Sequence, residues 1–418
     1  MTRVLHVLLE GEPVAVIEER SGELELTYDP SWAARQDAYP LSLSMPLAAR
    51  NHREPVRTFL WGLLPDNDAI LERWGQRFGV SPRNPFRLLA HVGEDCAGAM
   101  QLVRPERLEA VEPEQSGIDW IEEGEVSERL LRLREDQSAT RLPNDTGQFS
   151  LAGAQPKLAL LKNDGRWGVP YGAVPTTHIL KPSLPDLSGH AMVEHQTLEL
   201  ARALGLRAAR SELWGDPSAE AIVVERFDRV RQGPDPQAIR RVHQEDLCQA
   251  FGMHPARKYQ NEGGPGPRAI AELLRRSSSR AVEDVERFRD ALLFHWLTAG
   301  TDAHAKNYSL LHGPGGQVRL APLYDVASVL PFDGFEERRL RLAMKLGRTY
   351  RLADVRRGDL EHLASDLSLG ARSTIERALV MAAGIHEALA SLSGEGEVFE
   401  RLVDMLAKRA TRCAGLLR

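Results

Sequence analysis

Thr301-Asp302-Ala303-His304-Ala305-Lys306-Asn307, answered further on by Leu323-Tyr324-Asp325, carries the most chemistry in this chain. An acid and a carboxamide stand five positions apart, and a second acid follows beyond a glycine-rich turn. Phosphoryl transfer needs these groups. One carboxylate takes or orients a hydroxyl proton, while a carboxamide and another carboxylate hold Mg²⁺ against phosphates. Taken alone, the Asp302/Asn307 pair is also what a plain turn contains.

The surroundings favour the chemical reading. Phe288, Leu292, Trp296 and Ala299 recur at helical spacing, predicting a helix over 286–300 that delivers the chain to Asp302. Tyr308–Leu311 and Gln317–Leu320 flank Gly313-Pro314-Gly315-Gly316, a hairpin that would return Asp325 to Asn307, as a shared Mg²⁺ requires. The same Asp-x-x-x-x-Asn spacing occurs in kinase catalytic loops. His304 has no second histidine at ligand spacing, so it reads as a loop-orienting group or a phosphate contact rather than as part of a zinc site.

Moving outward, residues 3–9, 13–18 and 23–28 read as a strand meander with turns at Gly11-Glu12-Pro13 and Ser21-Gly22. Residues 55–80 read as helix broken at Pro65-Asp66-Asn67, and Phe86–His91 as a further short helix. The stretch 105–148 reads as a connection with one helix near 126–135. Strands are predicted at Lys157–Lys162, Thr177–Lys181 and Glu220–Phe227, and a helix at Met192–Leu204 closed by Gly205. After about 230 almost everything reads as helix, ending in an amphipathic stripe of Phe399, Leu402, Val403, Leu406, Ala410, Cys413 and Leu417. The expected class is α+β: a kinase-like two-lobed fold with a small β-rich lobe, an extra N-terminal subdomain and a large all-helical C-terminal lobe. The expected boundaries are 1–105, 106–230 and 231–418.

Within the small lobe, Lys181 ends a strand and Glu194 lies on the helix that follows. This is the arrangement of a Lys–Glu pair that holds ATP phosphates, although spacing alone leaves two solvated charges equally open. Ser150-Leu151-Ala152-Gly153-Ala154-Gln155-Pro156-Lys157 is rich in small residues that let backbone N–H groups approach phosphate oxygens, or simply make a turn. Glu225 and Phe227 end the last strand, where a kinase hinge would read adenine, although the sequence alone leaves an ordinary strand end equally open. Lys258-Tyr259 with Glu262–Gly266 reads as a structural loop.

Composition sets the limits. The 418 residues allow two or three domains, and 42% hydrophobic with 27% charged residues is ordinary for a globular chain. A net charge of −6 argues against charge-driven nucleic-acid binding by the chain as a whole. Cys96, Cys248 and Cys413 are far apart with no CxxC pair, which reads as buried reduced thiols of a cytosolic protein. Glu10 and Glu12 interrupt the first apolar run, so no signal peptide is read there, and no apolar run reaches the roughly 18–20 residues of a membrane span.

With these motifs in place, the chain resembles the HipA family of serine/threonine kinase toxins of bacterial toxin–antitoxin modules. The resemblance rests on ordered motifs along nearly the whole chain. They are Leu43–Leu47, Leu63–Asp66, Ser150–Lys157, Thr177–Lys181, Val224–Arg229, Gln244–Asp246, Lys258–Gly266, Asp302–Asn307 and Leu323–Val326. It implies Asp302 as catalytic base, Asn307 and Asp325 as Mg²⁺ ligands, and Lys181 as the ATP-phosphate lysine. It also implies the 151–157 loop as phosphate cover and Ser150 as an autophosphorylated off-switch. ATP and Mg²⁺ are the implied cofactors. An aminoacyl-tRNA synthetase, glutamyl-tRNA synthetase in the best-known case, is the implied substrate. A helix-turn-helix antitoxin is the implied partner, with operator DNA reached only through it. Pro156 departs from the family's usual acidic residue and removes a backbone donor. A small-molecule kinase and a kinase-like co-repressor are the competing readings. The match over 1–105 argues against the first, and intact Lys181, Asp302, Asn307 and Asp325 argue against the second.

Overall fold

The computed structural model describes residues 3–140, 145, 149–184, 187–215 and 219–418. The chain forms two compact units. The first comprises 1–182, 214–256 and 310–318, and the second 183–213, 257–309 and 319–418.

The first unit begins as the expected meander. Strands Arg3–Leu9, Glu12–Arg20 and Glu23–Tyr28 pair antiparallel in sequence order. Asn51–His52 and Met100–Val103 add the two edges. The tight turns are Glu10-Gly11 and Ser21-Gly22, in which both residues have positive φ, 53° and 85° then 52° and 87°. Two such residues in a row suit the right-handed twist of the flanking strands, and glycine takes the second place without strain. Inward residues Leu5, Val7, Ile17, Leu26 and Tyr28 form a core with Phe59, Phe86 and Trp74 from the helices Glu54–Gly62, Pro85–Val92 and Asp68–Phe78. The break between the first and last of these near Pro65-Asp66-Asn67 is as expected, with Asn67 capping the next helix through Oδ1.

A six-stranded sheet follows. In chain order its strands are Gly117–Ile121, Leu158–Asn163, Arg166–Tyr171, His178–Pro182, Ser211–Trp214 and Ala221–Glu225. Across the sheet they run Ser211, Ala221, His178, Leu158, Arg166, Gly117, each named by its first residue. The helix Glu123–Glu135 covers it with Val126, Leu130 and Leu133 against Leu158, Leu160, Trp167 and Leu180. The first strand was not anticipated inside 105–148. Its Gly-Ile-Asp-Trp-Ile pattern is short, with only Asp119 and Trp120 exposed, and it pairs closely because Gly117 and Gly168 leave room for the Tyr171 and Ile118 side chains.

The second unit packs the helices His190–Ala203, Pro267–Ser277, Ala281–Thr298, Arg357–Asp366, Ala371–Leu389 and Glu397–Leu417. The terminal helix buries Leu402, Leu406, Ala410, Cys413 and Leu417, as its stripe predicts. The expectation of an all-helical C-terminal lobe needs correction. Arg341–Leu346 and Thr349–Arg351 form a hairpin in this unit. Further strands from 229 onward, most of them in the first unit, are Arg229–Arg231, Ile239–Arg241, His243–Asp246, Ser309–Gly313 and Gln317–Leu320. Leu, Ala, Met, Lys and Arg are good helix formers, so 341–346 carries little intrinsic strand signal. Gly347 overrides it: its φ is 62°, and a Cβ there would meet the Asp359 carbonyl oxygen at 2.3 Å. Among the described residues no helix is long and apolar enough to cross a membrane, and all three cysteines are buried and unbridged.

Candidate active site

The helix Ala281–Thr298 buries Phe288, Leu292 and Trp296 and ends at Ala299, whose φ of 55° turns the chain. Gly300 N–H closes the end by donating to the His295 carbonyl at 2.9 Å. The next residues form a compact, self-bonded loop. The N–H of His304 donates to the Asp302 carbonyl at 2.8 Å, and that of Asn307 to the His304 carbonyl at 2.9 Å. Asn307 Nδ2 donates to the Asp302 carbonyl at 2.8 Å. The carboxamide is thereby fixed with its nitrogen inward, and Oδ1 faces away from that bond.

Residues 303–310 are all buried, whereas the Asp302 side chain is 65% exposed. A rigid base therefore holds a carboxylate out to solvent. Tyr259 Oη donates to its Oδ1 at 2.5 Å, and His304 Nε2 lies 3.8 Å from its Oδ2. The rings of Tyr259 and His304 meet edge-on, with centroids 5.0 Å apart. Ala305 N–H donates to the Lys258 carbonyl at 3.2 Å. The Lys258–Gly266 segment, read from sequence as structural, is thus the brace of the Asp302 loop. Its signal was the tyrosine itself, which needs a partner for its hydroxyl.

Asp325 is brought to the same loop by its neighbour. Tyr324 Oη donates to the Lys306 carbonyl at 2.7 Å and lies 2.6 Å from Ser309 Oγ. Asp325 is exposed and has a φ of 57°, a left-handed conformation that aspartate tolerates better than most residues. The second unit therefore carries Asp302, His304 and Asn307 on one loop, and Asp325 directly follows the tyrosine bonded to that loop. Asn307 Oδ1 and the Asp325 carboxylate are hard oxygens of the kind Mg²⁺ takes.

The remaining candidates lie elsewhere. Lys181 is buried on its strand opposite Ile222, in the first unit. Glu194 is buried on the helix His190–Ala203, in the second. In the small-residue loop, Lys157 Nζ donates to the Ala152 carbonyl at 2.6 Å and Gln155 Nε2 to the Pro182 carbonyl at 3.0 Å. Gly153 has a φ of 112°, and a Cβ there would meet Lys157 Nζ at 2.4 Å. Its carbonyl accepts from Asp66 N–H at 3.1 Å. Ser150 is fully buried and donates its hydroxyl to the Leu63 carbonyl at 2.7 Å. The Leu63–Asp66 corner thus pins this loop from the N-terminal side. Glu225 is exposed and Phe227 half-buried at the strand end.

Sequence reasoning missed one buried network in the first unit. Asp95 takes Arg229 Nη2 at 2.8 Å and Thr176 Oγ1 at 2.7 Å, while Asp228 takes Arg226 Nη2 at 2.9 Å and Gly98 N–H at 2.7 Å. Burial alone would raise both carboxyls. The adjacent guanidiniums overcome it and hold both below the ordinary carboxylate range. The alternation of charges in Glu225–Arg229 was the available signal.

Comparisons with known proteins show the family. Residues 5–103 match the family model described as HipA N-terminal domain, and residues 149–390 the HipA-like C-terminal domain. A protein of Sinorhizobium fredii named "Putative kinase Y4mE" is 37% identical over 378 residues, spanning 88% of this chain and 86% of that one. The serine/threonine-protein kinase toxin HipA of Shewanella oneidensis is 33% identical over 333 residues, 76% of this chain and 72% of its own. The solved Shewanella oneidensis HipA, HipB and operator DNA complex contains a chain that superposes with a TM-score of 0.84 at 27% identity, covering 99% of this chain and 97% of that one. The fold and these relatives define a serine/threonine-protein kinase. Within that class, the chain belongs to the HipA family of kinase toxins.

Proposed function

We infer that the chain transfers the γ-phosphoryl group of ATP to a serine or threonine hydroxyl of a protein, with Asp302 as the proton acceptor. The observation that carries this is the Asp302 carboxylate held out of a buried loop by Tyr259, beside Asn307 and the Tyr324-anchored Asp325. The substrate oxygen attacks γ-phosphorus while its proton passes to Asp302. The bond from γ-phosphorus to the β–γ bridging oxygen breaks, and ADP leaves. Asn307 Oδ1 and Asp325 would hold Mg²⁺, which when bound neutralises phosphate charge. Lys181 and the backbone and side chains of Ala152, Gly153, Ala154, Gln155 and Lys157 would receive the phosphates, with Glu194 as the acid the family motif sets against that lysine. Glu225 and Phe227 would border the adenine, and His304 orients the loop.

The biological setting is inferred from kinship. The Shewanella relative is named a toxin and is solved with HipB and operator DNA. A helix-turn-helix antitoxin of HipB type is therefore the partner we assign, with operator DNA reached through it. The target is an aminoacyl-tRNA synthetase, glutamyl-tRNA synthetase first among them, in the cytoplasm, and its modification arrests translation. The division 1–105, 106–230 and 231–418 assigns an N-terminal subdomain, an ATP-binding lobe and a catalytic lobe. Ser150 is the autophosphorylation off-switch: its buried hydroxyl must leave the Leu63 carbonyl to be modified, and a phosphate of about −1.5 to −2 charge has no place back inside.

The operator complex of the relative also favours a second reading, a co-repressor that acts by binding alone. Phosphoproteomics after induction, beside an Asp302→Asn control, separates the two. A synthetase phosphoserine present only with the intact chain supports the kinase toxin. Growth arrest that persists in the variant overturns it in favour of the co-repressor.

A further inference from the structure

Between residues 338 and 357 the chain carries eight basic residues and one acid, a local charge of +7 in a protein whose total is −6. The hairpin Arg341–Leu346 and Thr349–Arg351 displays half of them. Its register sets Arg341 directly opposite Arg351. Like charges facing across a strand pair destabilise it, so the hairpin does not owe this pairing to its own stability. Arg341, Arg348 and Arg351 are exposed. The Arg341 guanidinium and Lys345 Nζ lie 5.2 and 5.3 Å from the Tyr350 ring centroid, so one aromatic ring steadies two cations. Nearby arginines are neutralised, Arg338 and Arg339 by Glu336 and Arg357 by Glu361. Among the described residues, Arg341, Lys345, Arg348 and Arg351 have no carboxylate at ion-pair distance.

The hairpin is also wired to the catalytic loop of its own unit. Lys345 N–H donates to Gln260 Oε1 at 2.7 Å, and the adjacent residue, Tyr259, holds Asp302. The hairpin and the Asp302 loop are therefore joined through adjacent residues, Tyr259 and Gln260. We propose that the hairpin is a docking surface for an acidic segment of the protein substrate, flanking the phosphorylated residue. This rests on Asp302 being the centre of transfer. Charge complementarity at such a rim sets which partner is chosen and how fast it arrives.

The test is fluorescence anisotropy of labelled peptides on the full chain with Mg²⁺ and a non-hydrolysable ATP analogue. The probes are a glutamate-rich peptide with one serine, its lysine-rich counterpart and a single-stranded oligonucleotide of similar length. The acidic peptide should bind at least ~10-fold more tightly than the basic one, with the preference fading at high salt. The triple variant Arg341→Gln, Arg348→Gln, Arg351→Gln should lose that preference at a melting temperature no lower than the wild type's. Equal binding of both peptides, or full preference in the triple variant, overturns the proposal. So does tight oligonucleotide binding, lost in the triple variant, without any peptide preference. Asp302→Asn should still prefer the acidic peptide. If it binds normally and also transfers phosphate normally, the catalytic assignment fails while the docking surface stands.

Discussion

Tyr259→Phe removes a single oxygen from the brace of the Asp302 loop. The ring stays, and with it the edge contact on His304 at 5.0 Å. What disappears is the donor at 2.5 Å from Asp302 Oδ1. A hydrogen bond to a charged group contributes about 1.5–3 kcal/mol. The 65% exposure of Asp302 places this one at the low end or below, because water competes for the carboxylate. If the bond serves to aim the carboxylate, a loss of ~1.4 kcal/mol in the transition state is a tenfold fall in kcat. That is far milder than the roughly 10²–10⁴-fold expected when a positioned base is removed. Mg²⁺-ATP affinity should stay put, since the bond removed goes to Asp302 and not to Asn307 or Asp325, the residues proposed to hold Mg²⁺. The assay is radiolabel transfer from ATP to dephosphorylated casein, with nucleotide affinity and melting temperature measured alongside. A variant with wild-type kcat refutes the reasoning, as does a loss explained wholly by weaker ATP binding or a lower melting temperature.

Ser150 should acquire phosphate on incubation with Mg²⁺-ATP, and the modified form should bind ATP at least ~10-fold more weakly. Intact mass spectrometry followed by calorimetry reads both, and full ATP affinity in the phosphorylated form contradicts the switch. Asp228→Asn leaves Arg226 and Arg229 short of a buried counter-charge, so stability to denaturant should fall by roughly 3–5 kcal/mol; a change under about 1 kcal/mol would mean the network is dispensable. Burial lowers the pKa of His295 to about 4, below the ~6.5 of an unfolded histidine. Between those values only the unfolded chain takes the proton, so stability declines as pH falls from ~6.5 to ~4 and this contribution levels off below. His295→Gln should flatten that decline by an amount on the order of 3 kcal/mol, and an unchanged slope in pH-dependent unfolding would rule it out.

The locally encoded parts were legible in the sequence. The meander, the helix into Asp302 and the return hairpin follow from periodicity and glycine placement, and the structure keeps them within a few residues. The link between Asp302 and Asn307 was also readable, because five positions in a tight loop let the carboxamide reach the Asp302 carbonyl. The rest depends on partners distant in sequence. The brace from Tyr259 to Asp302 spans 43 positions, and the pin from Ser150 to Leu63 spans 87. The buried Asp95 and Arg229 meet across 134. Such pairs leave no periodic trace in a single sequence. The 341–351 hairpin was lost for another reason, since its helix-forming residues are overruled by one glycine pressed on the Asp359 backbone.

The most direct measurement of the central claim is the single-turnover rate of phosphoryl transfer to protein serine or threonine by the wild-type chain and by Asp302→Asn. The substitution keeps the shape of the side chain and removes the proton acceptor. Transfer should fall by about 10²–10⁴-fold while Mg²⁺-ATP binding is retained. Equal rates in the two proteins would contradict the assignment of Asp302 and, with it, the mechanism built on its loop.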